Sequence, residues 1–181
     1  MIADAALRGR TIALVGLMGV GKSTIGRKLA HALDLPFRDA DQEIEKAAGA
    51  TVSDIFERLG EAEFRAGERR VIARLLEEPA HVLATGGGAF VNPETRALIK
   101  QRAISVWLKA DLDVLVRRVS RKDTRPLLAG RDPRKVLQTL MRERYPVYAE
   151  ADIVVETDDR PAGAAVDAIL AALRERLESV S

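Results

Sequence analysis

Gly16-Leu17-Met18-Gly19-Val20-Gly21-Lys22-Ser23-Thr24 stands directly behind the apolar run Thr11-Ile12-Ala13-Leu14-Val15. Residues 16–23 fill the pattern G-x-x-x-x-G-K-[ST], and they lie where that pattern works, between a buried strand and a helix. Glycine at 16, 19 and 21 lets the backbone wrap a phosphate chain without a Cβ clash. The N–H groups of Gly19, Val20, Gly21, Lys22, Ser23 and Thr24 then face the anion, aided by the dipole of the following helix. Lys22 supplies a point charge for the β- and γ-phosphates, and Ser23 a hydroxyl for Mg²⁺. A glycine-rich turn with an incidental lysine explains fewer of these features together. The stretch reads as the binding loop for a nucleoside triphosphate.

Outward from the loop, short apolar runs alternate with longer helical patterns, the signature of βαβ units and a parallel sheet. Strands are expected over 11–16, 35–39, 81–85, 103–108 and 152–156. Helices are expected over 22–33, 41–48, 53–59, 61–77, 93–101, 111–120, 133–149 and 161–178. Ser53 and Asp111 suit the N-cap positions of two of them. The segment 121–132 breaks the periodicity with Pro126, Gly130 and several charges, and reads as an excursion, a short lid, rather than an element. No linker, repeat or low-complexity tract interrupts the chain, so residues 1–181 are expected to form a single three-layer α/β domain. A domain of this length buries about 70% of its unfolded surface.

In an open parallel sheet, ligands sit at the carboxyl ends of the strands. Strand one ends in the phosphate loop, strand two in Asp39-Ala40-Asp41 and strand three in Thr85-Gly86-Gly87-Gly88. If the second strand persists through residue 41, Asp39 and Asp41 share one side of it. One carboxylate then reaches the Mg²⁺ shell, through water, and the other an acceptor hydroxyl, as phosphoryl transfer requires. The plainer alternative is that Asp41 caps the next helix. Gly86-Gly87-Gly88 is either a flexible turn or a place where bare backbone approaches a ligand, and its position favours the second.

Composition removes other chemistries. There is no cysteine, so disulfides, thiolate nucleophiles and thiolate metal sites are excluded. His31 and His81 are far apart and lack ligand spacing, and read as surface or strand-start residues. Aromatic residues are only 4% and the net charge is +2 without a basic block, which argues against a nucleic-acid partner. No apolar stretch reaches membrane-spanning length and the first residues lack signal-peptide order, so a cytoplasmic protein without membrane attachment is expected. The arginines divide by context: Arg125 precedes Pro126 in the excursion and is placed to swing over phosphates. Arg65 and Arg144, taken alone, read as solvated helix arginines. Composition and spacing thus reach a nucleotide-dependent phosphotransferase with a short lid.

The order of motifs goes further. The loop, Asp39-x-Asp41, Phe56-x-x-x-Gly60-Glu61-x-x-Phe64-Arg65-x-x-Glu68, Gly86-Gly87-Gly88, Arg125-Pro126-Leu127-Leu128 and Arg144-x-x-x-Tyr148 together resemble the shikimate kinases, over about residues 10–175. The resemblance implies a nucleoside-monophosphate-kinase-like P-loop fold with a five-stranded parallel sheet. It implies ATP-dependent phosphorylation of the shikimate 3-hydroxyl, with Mg²⁺ as the metal. Asp41 would bind the ring hydroxyls and orient or deprotonate the nucleophile, while Asp39 supports the metal through water. Arg65 and Arg144 would grip the substrate carboxylate, with Gly86, Gly87 and Gly88 closing on the ring. Lys22 and Arg125 would act on the ATP phosphates, and Arg118 and Arg160 would flank the adenine. Shikimate and ATP are then the partners, and a monomer is expected.

Two other readings compete. The same fold can phosphorylate gluconate, a nucleoside monophosphate or an antibiotic hydroxyl, and a carboxylate clamp is wasted on those acceptors that carry no carboxylate. A nucleotide-binding switch needs no acceptor at all, and leaves the aspartate pair and the triple glycine without a role.

Overall fold

Thr11–Val15 (β1) is buried along its whole length, as a strand covered by helices on both faces must be. The structure, a computed structural model, describes residues 9–120 and 130–180. Around β1 lie Phe37–Asp39 (β2), Val82–Ala84 (β3), Ala103–Lys109 (β4) and Ile153–Glu156 (β5). All pair in parallel, in the order β2-β3-β1-β4-β5. Leu14 pairs with Ala84, which pairs in turn with Asp39, so β1, β2 and β3 present their carboxyl ends at one level.

The connecting helices are Lys22–Leu33 (α1), Ala40–Ala48 (α2), Val52–Leu75 (α3), Pro93–Arg102 (α4), Leu112–Val119 (α5), Pro133–Tyr148 (α6) and Ala162–Val180 (α7). The crossover β1–α1–β2 and the crossover β3–α4–β4 run in opposite directions across the sheet. Right-handed connections therefore put α1 and α4 on opposite faces. α7 returns to pack beside α1, while α3 packs on α4. The result is the three-layer α/β architecture with a five-stranded parallel sheet that the motif order implies.

Local chemistry sets several boundaries apart from those expected. β2 starts at Phe37 rather than residue 35 and ends at Asp39. Asp39 itself is the N-cap of α2: its Oδ1 accepts from the N–H groups of Asp41 (3.0 Å) and Gln42 (3.3 Å). Asp41 is therefore neither on a strand beside Asp39 nor a cap, but sits in the first turn of a helix that Asp39 starts. Thr51, not Ser53, caps α3, its Oγ1 accepting from Asp54 N–H at 3.1 Å. The expected helices 53–59 and 61–77 form one run broken at Gly60, whose φ of 81° is a left-handed conformation suited to glycine. Asp111 does occupy the N-cap position of α5, without a side-chain capping bond. The expected lid keeps only its end, residues 130–132, within the described residues.

Helix α1 lies close against the sheet at Gly26. A Cβ there would stand 2.6 Å from Phe37 Cε1 and 3.3 Å from Leu14 Cδ1. Overpacking of this kind costs about 1–3 kcal/mol, against about 1 kcal/mol returned by alanine's helix propensity. Gly26→Ala is therefore expected to lower stability by up to about 2 kcal/mol, seen as a lower urea midpoint. An unchanged or raised midpoint would contradict the tight packing.

Candidate active site

The phosphate loop takes the shape its glycines permit. Gly19 and Gly21 have φ of 83° and 100°, which a residue with a Cβ rarely adopts. Gly21 is the N-cap of α1, with no side-chain cap and no acidic residue in the first turn. A helix start of this kind, with no capping side chain and no acid in its first turn, suits an anion. Lys22 is buried, and its Nζ donates to Gly16 O (2.5 Å) and Leu17 O (3.0 Å), which folds its ammonium back over the loop. Ser23 Oγ donates to Asp39 Oδ2 at 2.7 Å, joining the loop to the end of β2.

This loop floors a cleft of about 380 Å³. Gly19 to Thr24 line it, with Asp39 and Asp41 on one side and Arg118, Thr157, Asp158 and Arg160 on another. Arg118 ties the rim together, donating from Nη1 to Val20 O (2.7 Å) and from Nη2 to Asp158 O (2.5 Å). Arg160 stands exposed at the rim, its Nε donating to Asp158 Oδ2 at 2.9 Å.

A second, smaller pocket of about 80 Å³ opens beside the first, and the two share Asp41, Gly86 and Gly87. Its other walls are Met18 from the phosphate loop, Val52, Phe56, Phe64, Arg65 and Glu68 from α3, Gly88, and Arg144 from α6. Close approach explains the glycines: a Cβ at Gly86 would lie 2.9 Å from Glu68 Oε2 and 3.1 Å from Asp41 Oδ1. A Cβ at Gly88 would run into the Arg65 guanidinium.

Charge is concentrated in this pocket. Arg65 Nη1 donates to Glu68 Oε1 at 2.9 Å, and Arg65 lies over the rings of Phe56 and Phe64. Glu68 is 1% exposed, and burial holds its carboxyl above the usual range although the Arg65 guanidinium pulls it down. Its Oε2 is buried without a hydrogen-bond partner. Arg144 is 8% exposed, and its Nη1 too is buried without a partner. A buried cationic N–H with nothing to donate to is costly, and a carboxylate entering the pocket would satisfy it.

The residues singled out in the sequence thus gather as follows. Gly19, Val20, Gly21, Lys22, Ser23, Thr24, Asp39, Arg118 and Arg160 surround the larger cleft, and Asp41, Arg65, Gly86, Gly87, Gly88 and Arg144 the smaller pocket. Arg144 corrects its solvated reading: α6 turns it inward, away from water. Arg65 is likewise only 19% exposed along its side chain. Arg125 lies outside the described residues. Sequence reasoning left Met18, Glu68 and Tyr148 without a role. The signals were spacing: Glu68 follows Arg65 by three and Tyr148 follows Arg144 by four, each pair sharing a helix face. His81 sits at the start of β3 as expected, but buried, its Nδ1 at 2.9 Å from Pro79 O.

A triphosphate loop whose cleft opens sideways onto a second, charged pocket has somewhere to send a phosphoryl group. Fold and site together define a P-loop phosphotransferase acting on a small molecule. A family model described as shikimate kinase matches residues 18–174. A shikimate kinase of Caulobacter vibrioides is 68% identical over 171 residues, 94% of this chain and 86% of that protein. One from Paramagnetospirillum magneticum is 57% identical over 165 residues, 91% and 85% of the two chains. The solved structure of shikimate kinase from Acinetobacter baumannii in complex with shikimate superposes with a TM-score of 0.91 at 39% identity, covering 96% of this chain and 98% of that one. This chain belongs to the shikimate kinase family.

Proposed function

We propose that the protein transfers the γ-phosphoryl group of ATP to the 3-hydroxyl of shikimate, giving shikimate 3-phosphate and ADP. The observation that carries this reading is the buried, unpartnered Nη1 of Arg144 in a pocket that shares Asp41 with the nucleotide cleft. The relatives' names support it, as does the shikimate held by the Acinetobacter protein.

The acceptor's carboxylate is taken by Arg144 and Arg65, whose planar forks match it. Asp41 engages the ring hydroxyls at the wall between the pockets and orients the 3-oxygen toward phosphorus. That oxygen forms the new P–O bond as the bond to the β-phosphate oxygen breaks, and the hydroxyl proton leaves toward Asp41. Lys22 and the N–H groups of Gly19 to Thr24 hold the triphosphate and spread the charge on its leaving end. Gly86, Gly87 and Gly88 let the ring approach bare backbone. Arg118 and Arg160 flank the base; Arg125 is assigned to the phosphates by the family resemblance alone.

Ser23 Oγ and Asp39 Oδ2 are hard oxygen donors side by side at the loop, the chemistry Mg²⁺ prefers, and would hold it directly and through water. When bound, the ion offsets phosphate charge. Among the described residues no group of three or more His, Cys, Asp or Glu forms a metal cage. The proposed active form is a monomer acting as a single domain, since the donor cleft and the acceptor pocket adjoin within the same fold. No helix among the described residues is long and apolar enough to cross a membrane.

Coupled ADP release tests the proposal, with protein, ATP and Mg²⁺ and, separately, shikimate, quinate, gluconate or AMP. Shikimate is expected to give the highest kcat/KM. Turnover with gluconate or AMP but not shikimate would move the acceptor, and acceptor-independent hydrolysis alone would favour a switch.

A further inference from the structure

Tyr148 closes α6 one helical turn after Arg144, with its side chain fully buried. Its ring packs against Trp107 of β4 (centroids 5.8 Å apart) and against Tyr145, and Trp107 pairs with Val15 at the end of β1. The aromatic cluster therefore fixes how far the phenol reaches. The hydroxyl donates to the carbonyl of Gly87, and the Arg144 guanidinium on the preceding turn acts on it electrostatically. Burial pushes the phenol up to about 12, so the proton it donates stays in place across the working pH range.

Gly87 is no ordinary partner. A Cβ built on it would lie 3.3 Å from Arg144 Nη1, 3.6 Å from Met18 N and 3.7 Å from Gly16 O. Its backbone is wedged between the phosphate loop and the guanidinium, and it lines both pockets. The hydroxyl thus holds the turn beneath the ring, and that turn lies against the arginine for the acceptor's carboxylate. Arg144 lines the acceptor pocket, and its Nη1 is buried there without a hydrogen-bond partner.

We propose that Tyr148 is a positioning residue for acceptor recognition: it sets the guanidinium of Arg144 and the Gly87 turn in register, and so determines the preference for a carboxylate-bearing acceptor. This rests on the shikimate kinase reading above. The role is distinct from core packing, because phenylalanine keeps the ring against Trp107 and Tyr145 and deletes only the hydroxyl.

Tyr148→Phe tests it, with steady-state kinetics on shikimate and on shikimate methyl ester, whose head is uncharged. The variant is expected to raise KM for shikimate about tenfold and to leave KM for ATP within twofold. The ratio of kcat/KM for shikimate over the ester is expected to fall about tenfold, since the ester gains little from a well-aimed Arg144. Combining it with Arg144→Lys should give no further rise in shikimate KM beyond that of Arg144→Lys alone. Unchanged shikimate KM and unchanged ester discrimination would overturn the proposal. So would parallel losses for ATP, shikimate and ester, or a variant that fails to fold, because either makes the hydroxyl a part of general stability. Wild-type protein that ignores shikimate would instead overturn the functional reading itself.

Discussion

Replacing Asp41 by asparagine is expected to lower kcat for shikimate by about 10²–10⁴-fold, the range over which a positioned proton acceptor contributes. KM for ATP should stay close to that of the wild type. Asparagine keeps the size and one acceptor oxygen of the side chain, so the pocket keeps its shape. What it removes is the negative charge at the wall shared by the two pockets, where the hydroxyl must be turned toward phosphorus. The phosphate loop has contacts of its own besides: Lys22 Nζ donates to the Gly16 and Leu17 carbonyls, and Ser23 Oγ to Asp39. Steady-state kinetics with each substrate varied in turn separates the two effects. Near-normal kcat would remove Asp41 from the chemical step, and a large rise in ATP KM would make it part of the nucleotide site.

The second large effect belongs to Arg144. Arg144→Met keeps the apolar stem and deletes the guanidinium. A charge-assisted bond is worth about 1.5–3 kcal/mol, and a forked pair more. The loss in kcat/KM for shikimate is expected to be about 10²–10³-fold, carried mainly by KM. Lysine at 144 should recover only part of it, because a point charge cannot make the two parallel bonds of the fork. Competition assays with shikimate methyl ester provide the control, since an acceptor without the carboxylate should barely feel the change. Equal losses for acid and ester would show that Arg144 shapes the pocket instead of reading the carboxylate.

The fold was largely legible because its signals are local. A buried apolar run before a glycine loop, and strand–helix alternation after it, fix a parallel sheet with its ligands at one edge. Asp39 and Asp41 show where local reading fails. Their spacing suits two residues on one strand, but Asp39 spends one oxygen capping α2 and the other accepting from Ser23. A carboxylate with both oxygens committed ends the strand, and Asp41 enters the site from a helix. Arg144 fails for a longer-range reason. Its helix has a charged surface face, and only the packing of α6 against the Gly88–Val91 turn region and the Trp107 cluster turns that arginine inward. Glu68 was visible as a letter three residues after Arg65, yet its burial depends on the Gly86 backbone coming close enough to exclude water. Residues whose roles depend on what another segment brings to them carry little periodic signal of their own.

The most direct test of the account is the identity of the product. After incubation of the protein with ATP, Mg²⁺ and shikimate, ³¹P and ¹H nuclear magnetic resonance of the mixture should show a phosphate monoester coupled to the ring proton at carbon 3, with ADP formed in equal amount. Inorganic phosphate in place of an ester, or an ester at a different hydroxyl, would contradict it.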